Sequence, residues 1–193
     1  GAVWVTNFGA NTVSRVDPVT GTVTATIPVG MRPLGVAYGA GSVWVVNIGE
    51  GTVHRIDPAT NTVVGIVVIL EGLYRIAATD SAVWVTAGGP TAPADGRVHR
   101  IDPLTNAVGA TIPVGYDPTG LAVGTDSVYV ALEGDTSIAR IGIATNTVIG
   151  RVNVGMRAED VALLGETLWV SHPVGAAVSG APLFAGAVTR VNL

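Results

Sequence analysis

Residues 43–61 read VWVVNIGEGTVHRIDPATN, and close copies of this stretch recur along the whole chain. Its aromatic residue returns at intervals of 40, 40, 45 and 40 residues, as Trp4, Trp44, Trp84, Tyr129 and Trp169. Its arginine returns in the same order, as Arg15, Arg55, Arg100, Arg140 and Arg190. A fixed period of this length is the sequence signature of a repeat architecture, so this stretch decides the fold.

Two further segments complete each repeat. An apolar run ends in Val-Gly at residues 25–30, 110–115 and 150–155, and a short Gly- and Ala-rich segment lies at residues 33–37 and 118–122. All four segments are rich in β-branched or aromatic residues and are bounded by Gly, Pro, Asn or Asp, which is typical of strands. The Asp-Pro-x-Thr-Gly/Asn sequences at residues 17–21 and 57–61 predict tight hairpins. No window has a 3.6-residue apolar period, so we expect essentially no helix.

Four strands in about 40 residues, repeated, predict an all-β fold, a β-propeller of four-stranded blades. We expect the Gly- and Ala-rich strand at the centre, then the aromatic strand and the arginine strand. The strand of the Val-Gly run should lie outermost, where a proline costs least. The chain is then a single propeller domain, or a fragment of one, in about five units: 1–30, 31–70, 71–115, 116–155 and 156–193.

The first and last units are incomplete, with an expected strand count of 3, 4, 4, 4 and 3. Two arrangements fit this count: a closed five-blade ring with an incomplete seam, and part of a larger ring. The second is slightly favoured, because Leu193 stops short of the hairpin that should follow the last arginine strand.

Composition and charge exclude several classes of protein. Of the 193 residues, 48% are hydrophobic and 12% are charged, which argues against disorder. The longest uncharged stretch, residues 173–189, is broken by Pro and Gly, so no membrane-inserted helix is expected. There is no cysteine, which excludes disulfides and thiol chemistry. All ten basic residues are arginines, spread singly in a chain of net charge −4, which argues against nucleic acid as a partner.

The repeat also resembles a known family. The strings VWVTN (3–7) and VWVVN (43–47), each followed by T-V-x-R-[V/I]-D-P-x-T, resemble the YVTN-type β-propeller repeat over the whole chain. The resemblance implies a secreted, periplasmic or cell-surface protein, or the extracytoplasmic sensor part of a larger one. Such repeats serve as adhesion, sensor and cofactor-binding scaffolds, so the resemblance does not imply one activity.

Candidate site residues are those that depart from their own repeat at the channel mouth. The loops from outer to next inner strand and from second to third strand should share this face. Inner strands begin with Pro-Leu-Gly or Pro-Thr-Gly in two units, but with charged or aromatic residues in the third and fifth. With neighbouring polar residues, the candidates for a ligand site are Arg32, Tyr74, Arg75, Asp117, Arg157, Glu159, Asp160 and His172. Alternatively, these groups and Glu71 pair with each other and simply fill the channel.

Residues that recur in every blade are interpreted as structural. The repeated arginines should stack on the aromatic strand or bond turn carbonyls, and the tryptophans should be core. His54 and His99 share one repeat position and should be buried strand residues, not metal ligands. The Glu133-Gly-Asp135 fragment supplies too few oxygens for calcium. We therefore expect no metal and no cofactor, and the long loops 88–96 and 173–186 are either binding loops or tolerated insertions.

Three functions follow from these features. The first is a non-enzymatic scaffold or sensor that binds an unknown small molecule or protein at the channel mouth. The second is an enzyme that resembles streptogramin lyases, which place a His in the turn before an inner strand and a Glu at the end of an aromatic strand. The positions that match the lyase His are Leu34, Tyr74, Thr119 and Glu159, and none of them is a histidine. The positions that match the lyase Glu are Asn7, Asn47, Ala87, Leu132 and His172, and none of them is a glutamate. The third is an assembly scaffold that self-associates through open strand edges.

Overall fold

The computed structural model describes residues 1–88, 95–173 and 187–193, and in this part of the chain it contains eighteen strands and no helix. The strands form five antiparallel sheets, which we call blades 1 to 5. Blade 1 contains β1 (Val3–Asn7), β2 (Thr12–Val16) and β3 (Val23–Pro28). Blade 2 contains β4 (Pro33–Gly39), β5 (Ser42–Asn47), β6 (Thr52–Asp57) and β7 (Thr62–Val68). Blade 3 contains β8 (Gly72–Ala78), β9 (Val83–Gly88), β10 (Gly96–Asp102) and β11 (Ala107–Gly115).

Blade 4 contains β12 (Pro118–Val123), β13 (Ser127–Leu132), β14 (Ser137–Gly142) and β15 (Thr147–Asn153). Blade 5 contains β16 (Asp160–Leu164), β17 (Thr167–His172) and β18 (Ala187–Asn192). Within each blade the strands pair in chain order, so the four-strand prediction and the order from inner to outer strand are confirmed. The expected arrangement of 3, 4, 4, 4 and 3 strands is found in the described residues. No helix in them is long and apolar enough to cross a membrane.

The hairpins between third and outer strands follow from their turn residues. In blade 1 the Asp17 carboxylate accepts a hydrogen bond from the Val19 amide (2.8 Å), and the Asp17 carbonyl accepts one from the Gly21 amide (2.8 Å). The residue that closes each turn has positive φ, a conformation that Gly and Asn adopt most readily. These closing residues are Gly21, Asn61, Asn106 and Asn146.

Blades 2 to 4 each bury two faces against their neighbours, and the alternation along the strands decides which residues lie on which face. The forward face, toward the next blade, carries Trp44 in blade 2. The backward face, toward the preceding blade, carries Val83 and Val85 in blade 3. These three side chains lie in one cluster and are fully buried. The core is therefore a series of interblade layers and not a single centre.

Three of the repeated arginines, Arg15, Arg55 and Arg100, form hydrogen bonds to the next blade. Arg55 lies over the Trp44 ring, 5.2 Å from its centroid, and donates to the Pro103 carbonyl (2.7 Å) and the Asn106 side chain (3.3 Å) of the next hairpin. Arg15 and Arg100 repeat both contacts in their own blades. Both contacts expected for these arginines are thus present. Arg140 also lies over its aromatic residue, but it donates to Ser127 and Asp126 of its own blade.

The inner strands of neighbouring blades lie side by side and line the inner edge of the sheets. The Thr86 hydroxyl of blade 3 donates to the Thr119 carbonyl of blade 4 (2.8 Å), and the Gly120 amide donates to the Glu159 carbonyl of blade 5 (3.0 Å). Successive inner strands pack together in this way from blade 2 to blade 5, with β1 against β4. Among the described residues, the first and last blades share no comparable contact.

Candidate functional site

The channel mouth is formed by the connections between blades, which are bonded to the turns beneath them. The Arg32 carbonyl accepts from the Ile48 amide (3.1 Å), and the Asp117 carbonyl accepts from the Glu133 amide (3.0 Å). Arg32 and Asp117 occupy the same repeat position, and both have positive φ, 54° and 46°. Their backbones therefore have one recurring role, the attachment of the connection to the next blade. The Arg32 side chain is exposed, with no bonded partner among the described residues.

The start of each inner strand gives the mouth its charge. The four residues at this repeat position are Gly35, Arg75, Gly120 and Asp160, so glycine alternates with a charged residue around the channel. A Cβ atom at position 120 would lie 2.5 Å from Asp160 Cα, so the glycine leaves the space that its charged neighbour needs. Arg75 and Asp160 therefore lie at the starts of the inner strands on either side of blade 4, and the Gly120 backbone between them approaches Asp160 closely.

Neither charge is neutralised within the described part of the chain. The backbone of Arg75 is paired with the Thr86 hydroxyl (3.0 Å), but its half-buried guanidinium has no acceptor there. The Asp160 carboxylate accepts only the neighbouring Val161 amide (2.9 Å), and the exposed Glu159 carboxylate has no bonded partner there. Within the described residues, unpaired charges of both signs therefore line the mouth, among them Arg75, Asp160 and Glu159.

Tyr74 has a packing role at the rim. Its hydroxyl would lie 3.1 Å from a Cβ at position 88, so Gly88 makes room for the ring. The half-buried ring thus closes the upper end of blade 3 beside Arg75.

A buried polar cluster that the sequence did not reveal lies in blade 3. The Glu71 carboxylate lies 3.0 Å from Arg97 Nη1 through one oxygen and 3.0 Å from His99 Nε2 through the other. His99 Nδ1 lies 3.0 Å from the Thr111 hydroxyl, so all the polar atoms of the ring are bonded. A signal was present: Glu71 stands where the other repeats have Met31, Tyr116 and Met156, in the same blade that has His99.

Arg157 and the Glu133-Gly-Asp135 fragment form ion pairs in blade 4. Arg157 pairs with the Glu133 carboxylate, and Asp135 lies 3.6 Å from Arg151 Nη1. Asp135 also accepts from the Tyr116 amide (3.2 Å). These acids therefore already have cationic partners. In the described ranges no three His, Cys, Asp or Glu side chains are grouped as metal ligands.

His172 replaces an asparagine in a recurring structural contact. Its Nδ1 donates to the Arg157 carbonyl (2.7 Å), and its Nε2 lies 2.8 Å from the Thr189 hydroxyl. In blade 1 the Asn7 side chain donates to the Ser14 hydroxyl (2.8 Å) at the equivalent position. His172 is buried and bonded through both ring nitrogens, so neither nitrogen is open to a ligand in this structure.

His54 in blade 2 has a buried polar atom without a partner in the described part of the chain. Its Nε2 lies 3.5 Å from the Glu50 carboxylate, but its buried Nδ1 has no hydrogen-bond partner, and neither has Oδ1 of the buried Asn47. Desolvation by burial lowers the pKa of His54, and the Glu50 carboxylate opposes the shift.

The larger cavities lie at the opposite face from the mouth, between the hairpins of adjacent blades. One of them, of about 540 Å³, is lined by Arg100, Asp80, Asp102 and Asn146 among others. Two more, of about 420 and 390 Å³, adjoin Arg140 and Arg15 in the same way. These open grooves follow from the repeat itself, because each surrounds an arginine that already binds a hairpin or its own blade. The predicted binding loops 88–96 and 173–186 lie largely outside the described residues.

Comparison with known proteins bears on the fold. A chain of Kuenenia stuttgartiensis hydrazine synthase, a β-propeller protein, matches with a TM-score of 0.86 at 19% sequence identity. The match covers 99% of this chain, which spans 59% of the length of that one. No family model matches the sequence, and no curated protein sequence matches it. The shared blades and the structural match together establish an all-β propeller fold.

Proposed function

We propose that the protein is a non-enzymatic binding scaffold whose ligand enters the channel mouth. The observation that carries this proposal is the pair Arg75 and Asp160. They have opposite charges, lie on the inner strands on either side of blade 4 and have no ionic partner among the described residues. Charged groups that only filled the channel would be expected to pair with each other, as Arg157 does with Glu133.

The chemistry of the two side chains indicates the class of ligand. A guanidinium binds a carboxylate through two parallel hydrogen bonds, and a carboxylate binds an ammonium group. A ligand that has both groups would neutralise both residues at once. We therefore propose a zwitterionic ligand, such as an amino acid or the end of a short peptide, with Arg32 and Glu159 as further polar contacts.

The proposal is non-enzymatic because the sequence contains no catalytic motif. His172 is bonded through both ring nitrogens, and His99 is bonded to Glu71 and Thr111. Both rings take part in hydrogen bonds within the fold. Binding thus accounts for the mouth without a catalytic step.

We also propose that the protein is one of the YVTN-type repeat proteins and works outside the cytoplasm, in the periplasm or at the cell surface. The proposal rests on the VWVTN and VWVVN strings with their following arginine motifs. Membership of such a group is consistent with a rigid scaffold that presents a binding site at one end of the channel.

Thermal-shift titration with free amino acids and with glycylglycine tests the binding function. At least one zwitterion should raise Tm, because a ligand that binds only the folded state stabilises it. The same compound, N-acetylated or esterified, should have a smaller effect. The shift should disappear in Arg75→Gln and in Asp160→Asn but persist in Arg151→Gln, which alters an ion pair away from Gly120. No shift with any zwitterion, or an equal shift in all variants, would contradict the proposal. Turnover of the ligand would contradict its non-enzymatic part.

A further inference from the structure

One groove on the face opposite the mouth lies between blades 3 and 4, which both have neighbours on each side. It has a volume of about 540 Å³, and we call it the blade 3–4 groove. A concave surface of this size, with apolar walls and a few polar groups, is typical of a small-molecule site. The side chains that matter to its chemistry are Asp80, Arg100, Asp102, Pro103, Leu104 and Ala110.

Arg100 uses only one end of its guanidinium to bind the fold. Its Nη1 donates to the Ile143 carbonyl (3.1 Å) and to the Asn146 side chain (2.9 Å) in the hairpin of blade 4. Within the described residues no atom accepts a hydrogen bond from its Nε or Nη2. These two nitrogens form one edge of the planar guanidinium and donate side by side, in a geometry that suits a pair of ligand oxygens. Arg100 thus has a free donor edge.

A single departure from the repeat leaves this edge free. In blade 2 the Arg55 Nε donates to the Ser42 hydroxyl (2.8 Å), and in blade 4 the Arg140 Nε donates to the Ser127 hydroxyl (2.8 Å). Blade 3 has Ala82 at this position, and the alanine side chain offers no acceptor. The alanine therefore removes a hydrogen bond that the fold makes in both neighbouring blades.

The free edge is directed at the wall of the groove. In blade 4 the same edge of Arg140 reaches Asp126 through Nη2 (3.3 Å), in the turn between the inner and second strands. The corresponding turn in blade 3 contains Asp80, which lines the groove. Asp80 accepts from the Ala40 amide (3.3 Å) and forms no ion pair with Arg100 in the described part of the chain. Space for a small group therefore remains between this carboxylate and the guanidinium.

The charges in the groove favour an uncharged ligand. Besides Arg100 it contains the carboxylates of Asp80 and Asp102, and neither has a cationic partner among the described residues. An anion would accept from Arg100 but would be repelled by both carboxylates, and a cation would leave the donor edge without an acceptor. A hydroxyl group carries no charge and both donates and accepts. A ligand with adjacent hydroxyls can therefore bond both walls at once.

We propose that the blade 3–4 groove binds an uncharged polyhydroxy ligand of the monosaccharide class. Two adjacent hydroxyl oxygens accept from Nε and Nη2 of Arg100, and one of these hydroxyls donates to the Asp80 carboxylate. The C–H groups of the sugar ring pack against Leu104 and Ala110. This site is separate from the mouth, so the protein has two binding sites of different chemistry, and neither proposal depends on the other.

Titration of the purified chain with glucose, galactose and mannose, followed by the amide chemical shifts, tests this proposal. At least one sugar should bind, with the largest shifts in the turn at Asp80 and the hairpin at Leu104. Ala82→Ser supplies Arg100 Nε with the hydroxyl that blades 2 and 4 have. It should raise the dissociation constant about tenfold, the equivalent of one hydrogen bond to a charged group. Asp80→Ala removes the acceptor on the opposite wall and should weaken binding by a similar factor.

The controls separate loss of the ligand from loss of the fold. Ala59→Ser adds the same hydroxyl to the exposed hairpin of blade 2 and should bind the sugar like the parent. Ala82→Ser should keep the Tm of the parent or exceed it, because its hydroxyl completes a recurring bond. Should that variant fail to fold, Asp80→Ala at an exposed position decides.

Three results would overturn the proposal. The first is that none of the three sugars binds. The second is that the folded groove variants bind the sugar as tightly as the parent does. The third is that acetate or inorganic phosphate binds the groove more tightly than any sugar, which would assign the free edge of Arg100 to an anion.

Discussion

His99 Nδ1 lies 3.0 Å from the Thr111 hydroxyl, and this contact is missing from the equivalent pair in blade 2. There His54 is paired in the ladder with Ile66, as His99 is with Thr111. Because isoleucine offers no polar atom, His54 Nδ1 is buried without a partner. A buried polar group without a hydrogen bond costs roughly 1–3 kcal/mol. The residue opposite the histidine, Thr111 in blade 3 and Ile66 in blade 2, thus decides whether the histidine is fully bonded.

Ile66→Thr should therefore stabilise the protein. The new hydroxyl can bond His54 Nδ1, and little apolar burial is lost because Ile66 is exposed. We expect a gain of about 1 kcal/mol, which corresponds to roughly 2–4 °C in Tm for a chain of this size. Ile66→Val is the matched control, since it has the shape of threonine without the hydroxyl. Equal Tm values for the two variants would show that the hydroxyl finds no partner.

His54 should also make stability depend on pH. Burial lowers its pKa in the folded state from the ordinary value of 6.5, so the unfolded chain binds a proton more readily. The stability linked to neutral His54 is fully present above about pH 6.5 and is lost as the pH falls toward the lowered folded pKa. Denaturant unfolding between pH 7.5 and 5 should show a shallower decline for His54→Asn than for the parent. Parallel curves would contradict the assigned shift.

The repeated arginine should contribute more to the free energy of unfolding in blade 2 than in blade 4. Arg55 and Arg140 both stack on an aromatic ring and donate to a serine of their own blade. Arg55 also binds the hairpin of the next blade, whereas Arg140 binds the exposed Asp126 of its own blade. Arg55→Met should cost about 2 kcal/mol, and Arg140→Met less than about 1 kcal/mol. Denaturant midpoints of the two variants provide the comparison. Similar losses would show that stacking on the aromatic ring, and not the hairpin, carries the stability.

The close approach of the inner strands is tested by two glycines. Gly120→Ala places a Cβ against the backbone of Asp160, so blades 4 and 5 must separate. Overpacking of this kind costs roughly 1–3 kcal/mol. Gly150→Ala is the control, because no atom lies within 4 Å of its new Cβ. If Gly120→Ala is as stable as Gly150→Ala, blades 4 and 5 do not meet as described.

The fold could be predicted because the repeat supplies the same information five times. Strand identity, strand order and the Asp-Pro hairpins follow from local residue preferences. The partners of Arg55 follow from its recurrence, since a residue required in every blade has a structural role. The interblade cavities could not be predicted, because their size depends on how far apart neighbouring hairpins lie.

The site was less accessible to sequence reasoning. Departures from the repeat identified Arg75 and Asp160, but only the structure shows that Gly120 separates them and that neither has an ionic partner among the described residues. Glu71 lies in the connection between blades 2 and 3, and His99 lies 28 residues later in the third strand of blade 3. No short sequence motif can therefore predict their contact. His172 was predicted as a site residue because its type is unusual for the repeat, but its ring bonds the Thr189 hydroxyl as the Asn7 side chain bonds the Ser14 hydroxyl. Its role in the structure is therefore the recurring one.

The central claim is that Arg75 and Asp160 are held at the mouth for a ligand and not for the fold. The most direct measurement is the free energy of unfolding of the Arg75→Gln, Asp160→Asn double variant, determined by denaturant titration without ligand. Because neither charge has a partner within the described residues, we predict a change within about 0.5 kcal/mol of the parent. A loss of about 2 kcal/mol or more would mean that the two charges stabilise the channel itself, and would contradict the account.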